Sequence, residues 1–259
     1  MKKPTILITN DDGIQAPGLK HLWRSVKDFC NIVIVAPAVE QSGVGLSVTL
    51  HSPLHATQFS WEDPNTEAWQ ITGTPADCVR MALRMLLPSP PDMVLSGINR
   101  GTNAGRNILY SGTVGGVIDA AFRGVPGIAF SCEDKQDPNF ESFEDQVFPL
   151  VKYLLNNPLP SHNFLNVSFP SNHKKEHKGY RLAKQGMSHC IDRLVKRTHP
   201  EGKEYYWMGC DIKKYEEDEE SDIRLLEEGY ITAVPVQVGE LTNHDVFHQR
   251  KSIFQNHLA

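Results

Sequence analysis

The chain has 259 residues, room for one large α/β domain or one domain with an appendage. With 40% hydrophobic and 22% charged residues it has an ordinary globular composition. Its net charge of −5 argues against a nucleic-acid polymer as partner, because a phosphate backbone needs clustered Lys and Arg; a small phosphate ester stays compatible, since a metal and backbone amides can supply positive potential.

No apolar run approaches the roughly 20 residues of a membrane span. The opening MKKPTILITNDDG resembles a signal peptide only superficially, because its apolar part stops before two aspartates. A buried strand is the better reading. Five cysteines (Cys30, Cys78, Cys132, Cys190, Cys210) lack CxxC spacing, so the expectation is a reduced, cytoplasmic chain with neither disulfide nor zinc.

Taken in order, Thr5–Thr9, Cys30–Ala36, Met93–Ser96 and Gly127–Ser131 are continuously apolar runs, as expected of strands covered on both faces. Leu19, Leu22, Trp23 and Val26 have helical spacing, with Pro17 in the first turn. Pro75–Leu87, a segment around Val114–Phe122 and one around Phe143–Leu154 predict three more helices. The alternation predicts a three-layer, doubly wound, mostly parallel Rossmann-like sheet. Residues 46–72 break the rhythm and read as a strand-rich excursion. Beyond about residue 160, Phe164–Phe169, Tyr180–Lys184, Glu204–Met208 and Tyr230–Val236 predict strands, separated by hydrophilic stretches such as His173–Lys178. We therefore expect a single domain, with 1–160 an α/β core and 161–259 a β-rich extension that completes the fold and makes oligomer contacts. The acidic run Glu216–Glu220 reads as a solvated loop.

In open α/β sheets ligands bind beyond the carboxyl ends of strands. Three polar segments fall there: Asn10-Asp11-Asp12-Gly13, Gln41-Ser42-Gly43, and the stretch from Ser96 to Gly105 that holds Asn99 and Asn103. The aspartate pair has two readings. It is a turn with a helix cap, or it is a cation site, since adjacent carboxylates repel without compensation. Oxygen ligands of this kind suit Mg²⁺ or Mn²⁺. Tyr110-Ser111-Gly112-Thr113-Val114-Gly115 precedes the third helix, where hydroxyls and free amides form an anion site, or Ser111 is only the N-cap. It is neither a Walker A motif nor a G-x-S-x-G elbow, and no GxGxxG follows the first strand. The histidines His51, His55, His189, His199 and His244 lack metal spacing and read as structural or exposed. Arg193 and Arg197 are surface charges or base-side contacts.

Together, Ile6–Gly18 (ILITNDDGIQAPG), Ala36-Pro37 with Gln41-Ser42-Gly43, Thr72–Val79 (TGTPADCV), Ser96-Gly97-Ile98-Asn99 with Asn103 and Gly105, and Tyr110–Gly115 (YSGTVG) resemble the SurE survival-protein family. The likeness extends through Leu165-Asn166-Val167, Tyr205-Tyr206-Trp207, Ser221-Asp222 and Gly229-Tyr230. It implies a 5′/3′-nucleotidase acting on nucleoside monophosphates, with some members acting on polyphosphate. It implies one divalent ion per subunit, Mg²⁺ or Mn²⁺, on Asp11, Asp12, Ser42 and Asn99, and phosphate held by Asn103, Ser111, Gly112 and Thr113. The catalytic set is then Asp11, Asp12 and Asn99, in a homodimer or homotetramer off the membrane. Gly116 and Asp119 depart from the alanine and glutamate common after the family's SGTVG, which bears on substrate preference. Asn243-His244 after Leu241-Thr242 is a second departure. The rival of another class is a non-catalytic nucleotide-binding module on the same fold.

Overall fold

In the computed structural model, which describes residues 3–171 and 177–258, strand β1 (Thr5–Thr9) lies in the interior of a nine-stranded sheet. Its neighbours are β2 (Asn31–Pro37) on one side and β5 (Met93–Arg100) on the other, both parallel to it. The parallel set continues outward to β4 (Glu67–Ile71) beside β2, and to β6 (Gly127–Cys132) and β7 (Asn163–Phe169) beyond β5. β3 (Ala56–Gln58) closes one edge antiparallel to β4. At the other edge β11 (Ile231–Gln237) runs antiparallel to β7, and β8 (Tyr180–Leu182) pairs with it in parallel. The doubly wound, mostly parallel α/β fold read from the sequence is the fold observed.

The alternation of side chains along β1 explains why helices cover both faces. Ile6 and Ile8 pack with Leu19, Leu22 and Trp23 of α1 (Pro17–Val26) and with Val147, Val151 and Leu154 of α4 (Glu144–Asn156). Leu7, on the opposite face, packs with Cys78 and Val79 of α2 (Pro75–Met81) and Ala120 of α3 (Gly112–Phe122). Each fully buried Ile or Leu of this kind contributes about 1.5–3 kcal/mol. Start signals are chemical as well as periodic. Thr74 and Asp77 form a reciprocal capping box on α2, and Pro17 occupies the first turn of α1. The helix expected over Pro75–Leu87 is α-helical only to Met81 and continues as a π-helical turn over Ala82–Leu86.

The strand-rich excursion at 46–72 is part of the central sheet, because β4 buries Ala68 and Ile71 beside β2. Past residue 160 the chain does two things. β7, β8 and β11 complete the sheet, whereas β9 (His189–Thr198) and β10 (Glu204–Lys213) form a separate antiparallel hairpin. A short α5 (Asp222–Glu227) packs near β11, and α6 (His244–Leu258) has no buried residue. Of the hydrophilic stretch His173–Lys178, residues 173–176 lie outside the described residues.

One expectation is corrected. Cys190 and Cys210 are joined by a disulfide, their Cα atoms 5.5 Å apart. The hairpin does what linear spacing hides: Cys210 faces Asp192, two residues from Cys190, so cysteines 20 apart in sequence meet diagonally. Cys30, Cys78 and Cys132 are free and buried. The cysteine set therefore gives no argument for a reducing compartment. No helix among the described residues is long and apolar enough to cross a membrane.

Candidate active site

Leaving β1, the chain turns at Asn10, whose side chain accepts from the Gly13 amide and donates back to the Gly13 carbonyl. This closed turn fixes Asp11 and Asp12 at the carboxyl end of β1. The loop after β2 is tied to it by two main-chain bonds: the Gln41 amide donates to the Asp11 carbonyl (2.7 Å) and the Ile14 amide to the Pro37 carbonyl (2.8 Å). The convergence of loops expected from the topology is thus made by the backbone itself.

Asp11 is 4% exposed, and Thr113 Oγ1 donates to its Oδ1 at 2.5 Å. Gly112 is pressed against the same side chain: a Cβ there would meet Asp11 Cβ at 2.9 Å and its Oδ2 at 3.0 Å. Asp12 receives the Arg100 amide on Oδ2 at 3.4 Å, and the Arg100 guanidinium stands 3.6 Å from its Oδ1. Arg100 also faces Glu40 (3.7 Å), and Glu40 accepts from Ser42 Oγ at 2.6 Å. Ser42 is exposed, and its hydroxyl donates to Glu40 rather than to either aspartate. Asn99 lies between Ile98 and Arg100 at the end of β5, with Nδ2 donating to the Gly101 carbonyl at 2.7 Å.

Asn103 is 5% exposed, and its Nδ2 has no hydrogen-bond partner. Ser111 caps α3, its Oγ accepting from the Val114 amide at 3.2 Å. The capping reading of Ser111 is therefore realised, beside Gly112 and Thr113, which turn toward Asp11. Asp119 does not reach this site. Its carboxylate is taken by Arg80 and Arg123, each at 2.8 Å.

Burial dominates the electrostatics. Desolvation pushes Asp11 up to about 6, against the Thr113 hydrogen bond that lowers it and with the neighbouring Asp12 charge that raises it. Asp12 is raised too, by desolvation first, while Arg100 opposes. Two adjacent carboxylates that resist ionisation fit a hard divalent cation, which would restore both charges. Among the described residues no group of three or more His, Cys, Asp or Glu is placed to hold a metal, so a carboxylate pair completed by neutral oxygens is the fitting donor set and a zinc-type cluster is not.

Several residues that build this site carry no sequence signal of that role. Arg100 lies inside the Ser96–Gly105 segment and Glu40 just before Gln41-Ser42-Gly43, but a charge pair between loops 60 residues apart leaves no local pattern. Asp222, 1% exposed, accepts from the Gly105 amide (3.0 Å), the Gly186 amide (2.8 Å) and Gln185 Nε2 (2.9 Å). It holds the Asn103–Gly105 loop to the chain that enters the hairpin. Within the acidic run, Glu217 accepts from the Met187 and Ser188 amides, while Asp218 and Glu220 pair with Lys184 at the surface. His189 stacks on Tyr215 at the hairpin base.

Comparison with known proteins finds one family. The family model described as Survival protein SurE matches residues 6–192. The chain is 46% identical to the 5′-nucleotidase SurE of Protochlamydia amoebophila, over 98% of this chain and 97% of that protein. It is 36% identical to the 5′-nucleotidase SurE of Flavobacterium psychrophilum, over 95% and 96% of the two chains. The crystal structure of the SurE protein from Aquifex aeolicus superposes with a TM-score of 0.81 at 36% identity, covering 96% of this chain and 99% of that one.

Proposed function

The chain belongs to the SurE family, and from that premise we infer that it is a 5′-nucleotidase, hydrolysing nucleoside 5′-monophosphates to nucleoside and phosphate. We extend the reading to metal dependence, to nucleoside 3′-monophosphates and to polyphosphate. The observation that carries it is the buried Asp11–Thr113 contact beside Asp12, which joins a carboxylate pair at a strand end to the first turn of α3.

Asp11, Asp12, Ser42 and Asn99 would hold one Mg²⁺ or Mn²⁺ per subunit. Such an ion supplies Lewis acidity at the phosphate and acidifies the attacking water. Asn103 Nδ2, a buried donor without a partner, is suited to a phosphoryl oxygen. The amides of Gly112 and Thr113 open α3, where backbone donors and the helix dipole favour an anion. One of Asp11 and Asp12 would take up the proton of the attacking water.

Phosphate release from AMP, measured with Mg²⁺, with Mn²⁺ and with chelator, tests this. Metal-dependent release is expected, and Asp11→Asn and Asp12→Asn should each abolish it while leaving the fold intact. Binding of AMP without turnover would select the non-catalytic module instead. A panel of 5′- and 3′-monophosphates and polyphosphate ranks the finer activities.

A homodimer or homotetramer is part of the same reading. The hairpin exposes Leu194, Tyr206, Trp207 and Met208, and α6 exposes Phe247 and Phe254. Apolar surface of this extent suits association. Light scattering should give a multiple of 29.1 kDa, and a monomer at micromolar concentration would refute the assembly.

A further inference from the structure

Asn166 lies in the middle of β7 between two core residues, Leu165 and Val167, and is 1% exposed. Packing alone would place an apolar side chain there. Instead Asn166 Nδ2 donates to the Asn103 main-chain carbonyl at 3.1 Å. The Asn103 amide is also held by a side chain, donating to Ser131 Oγ of β6 at 3.1 Å. Ser131 Oγ is in turn 3.1 Å from Ser168 Oγ, again of β7. Both main-chain polar atoms of Asn103 are therefore fixed by polar side chains rising from β6 and β7, and neither belongs to a strand ladder.

The same cluster contains two buried side-chain atoms without partners, the donor Nδ2 of Asn103 and the acceptor Oδ1 of Asn166. Buried polar atoms are nearly always satisfied, because leaving one unpaired costs stability. A purely structural Asn166 would satisfy both ends of its amide. The orphan donor thus lies on the residue whose main chain is held, and the orphan acceptor on the residue that holds it.

Resting on the phosphatase reading above, we propose that Asn166 is a positioning residue, which pins the Asn103 carbonyl so that Asn103 Nδ2 is presented to the phosphate. Asn166 acts through Asn103. Ser131 serves the same end from the amide side.

The test is a double-mutant cycle on the Mn²⁺-loaded enzyme, with inorganic phosphate as the calorimetric probe and AMP as the kinetic one. Asn103→Ala and Asn166→Ala should each weaken phosphate binding about tenfold, the scale of one lost charge-assisted hydrogen bond. KM for AMP should rise, Mn²⁺ affinity should stay within about twofold of wild type, and the double variant should be no worse than Asn103→Ala alone. Additive losses in the double variant would overturn the proposal, as would wild-type phosphate affinity in Asn166→Ala. Should Asn166→Ala fail to fold, Asn166→Ser, which keeps a small polar group, takes its place in the cycle with the same criteria. Wild-type protein that releases no phosphate from AMP refutes the function itself. Wild-type turnover with an additive cycle refutes only the role of Asn166.

Discussion

Thr113 Oγ1 donates to Asp11 Oδ1 at 2.5 Å, so the first turn of α3 and the end of β1 share one buried contact 102 residues apart in sequence. The hydroxyl occupies one carboxylate oxygen and holds the ring of possible orientations of Asp11 to one. Thr113→Val keeps shape and removes the donor. Its Mn²⁺ affinity should fall roughly 10- to 100-fold, the usual cost of losing a group that orients a ligand, and Thr113→Ser should restore most of it. Calorimetric titration of the metal checks both; equal affinities in wild type and Thr113→Val would deny the contact an orienting role.

Burial pushes Asp11 up to about 6 from 3.8, so the metal-free native state binds a proton more tightly there than the unfolded chain does. Stability from this group is accordingly present at acid pH and declines as pH rises from about 4 to about 6, by at most about 3 kcal/mol. Other carboxylates, such as Glu217, are lowered and act in the opposite sense, so the comparison must be with Asp11→Asn. Metal-free wild type should be destabilised relative to Asp11→Asn at pH 7.5 and much less so at pH 4. Metal reverses the trend, because it requires the ionised form: Mn²⁺ affinity should drop below about pH 6. Urea titrations at both pH values, with and without Mn²⁺, decide it, and a wild-type difference independent of pH would contradict the buried-carboxylate account.

Much of this was legible from periodicity and turn chemistry. Ile6–Ile8 reads as a buried strand because hydrophobic helices must cover both sides of it, and Pro17 and Thr74 mark helix starts by mechanisms local to their own segments. The Asp11, Asn99 and Thr113 loops follow from the rule that strand ends converge. What stayed hidden depends on long-range partners or on surface. β9 runs in apolar and charged pairs (Cys190-Ile191, Asp192-Arg193, Leu194-Val195, Lys196-Arg197) with no buried face, so it lacks the alternation of a strand and its signal is its pairing with β10. α6 carries a cap, Asn243 accepting from the Val246 amide, and apolar pairs seven residues apart at Val246–Phe247 and Ile253–Phe254, but with no core to cover it reads as a polar tail. Glu40, Arg100 and Asp222 are ordinary charges until the fold sets their neighbours beside them.

Gly115 shows how tightly the loops are stacked over α3. A Cβ at this position would stand 2.2 Å from the Gly45 carbonyl oxygen and 2.9 Å from its carbon. Neither atom belongs to a flexible side chain, so the 43–46 loop must move as backbone. Gly115→Ala should lose about 2–4 kcal/mol of stability in urea and most of its activity, since the displaced loop adjoins Ser42. A variant with wild-type stability would mean that the loop yields freely and does not fix the site.

Asp222 joins the Asn103–Gly105 loop to the chain that enters the hairpin. Its carboxylate accepts from Gly105 and Gly186, and desolvation raises it while those amides pull it down. Asp222→Ala leaves both amides buried without an acceptor, at about 1–3 kcal/mol each. Asn107 Oδ1 accepts from the Cys190 amide at 2.8 Å, and the Arg106 amide donates to the Ser188 carbonyl at 3.0 Å, so the same loop is stitched to the base of β9. Loosening one end should therefore be felt at the other. Asp222→Ala is expected to lower kcat/KM for AMP at least tenfold at a temperature where it remains folded, and Asp222→Asn, which keeps one good acceptor, should fall between. Hydrogen exchange provides the independent reading: faster exchange should appear at both Gly105–Asn107 and Gly186–Cys190. Faster exchange confined to residues 186–190, with kcat/KM unchanged, would show that the hairpin is tethered to the Asn103–Asn107 loop without governing it.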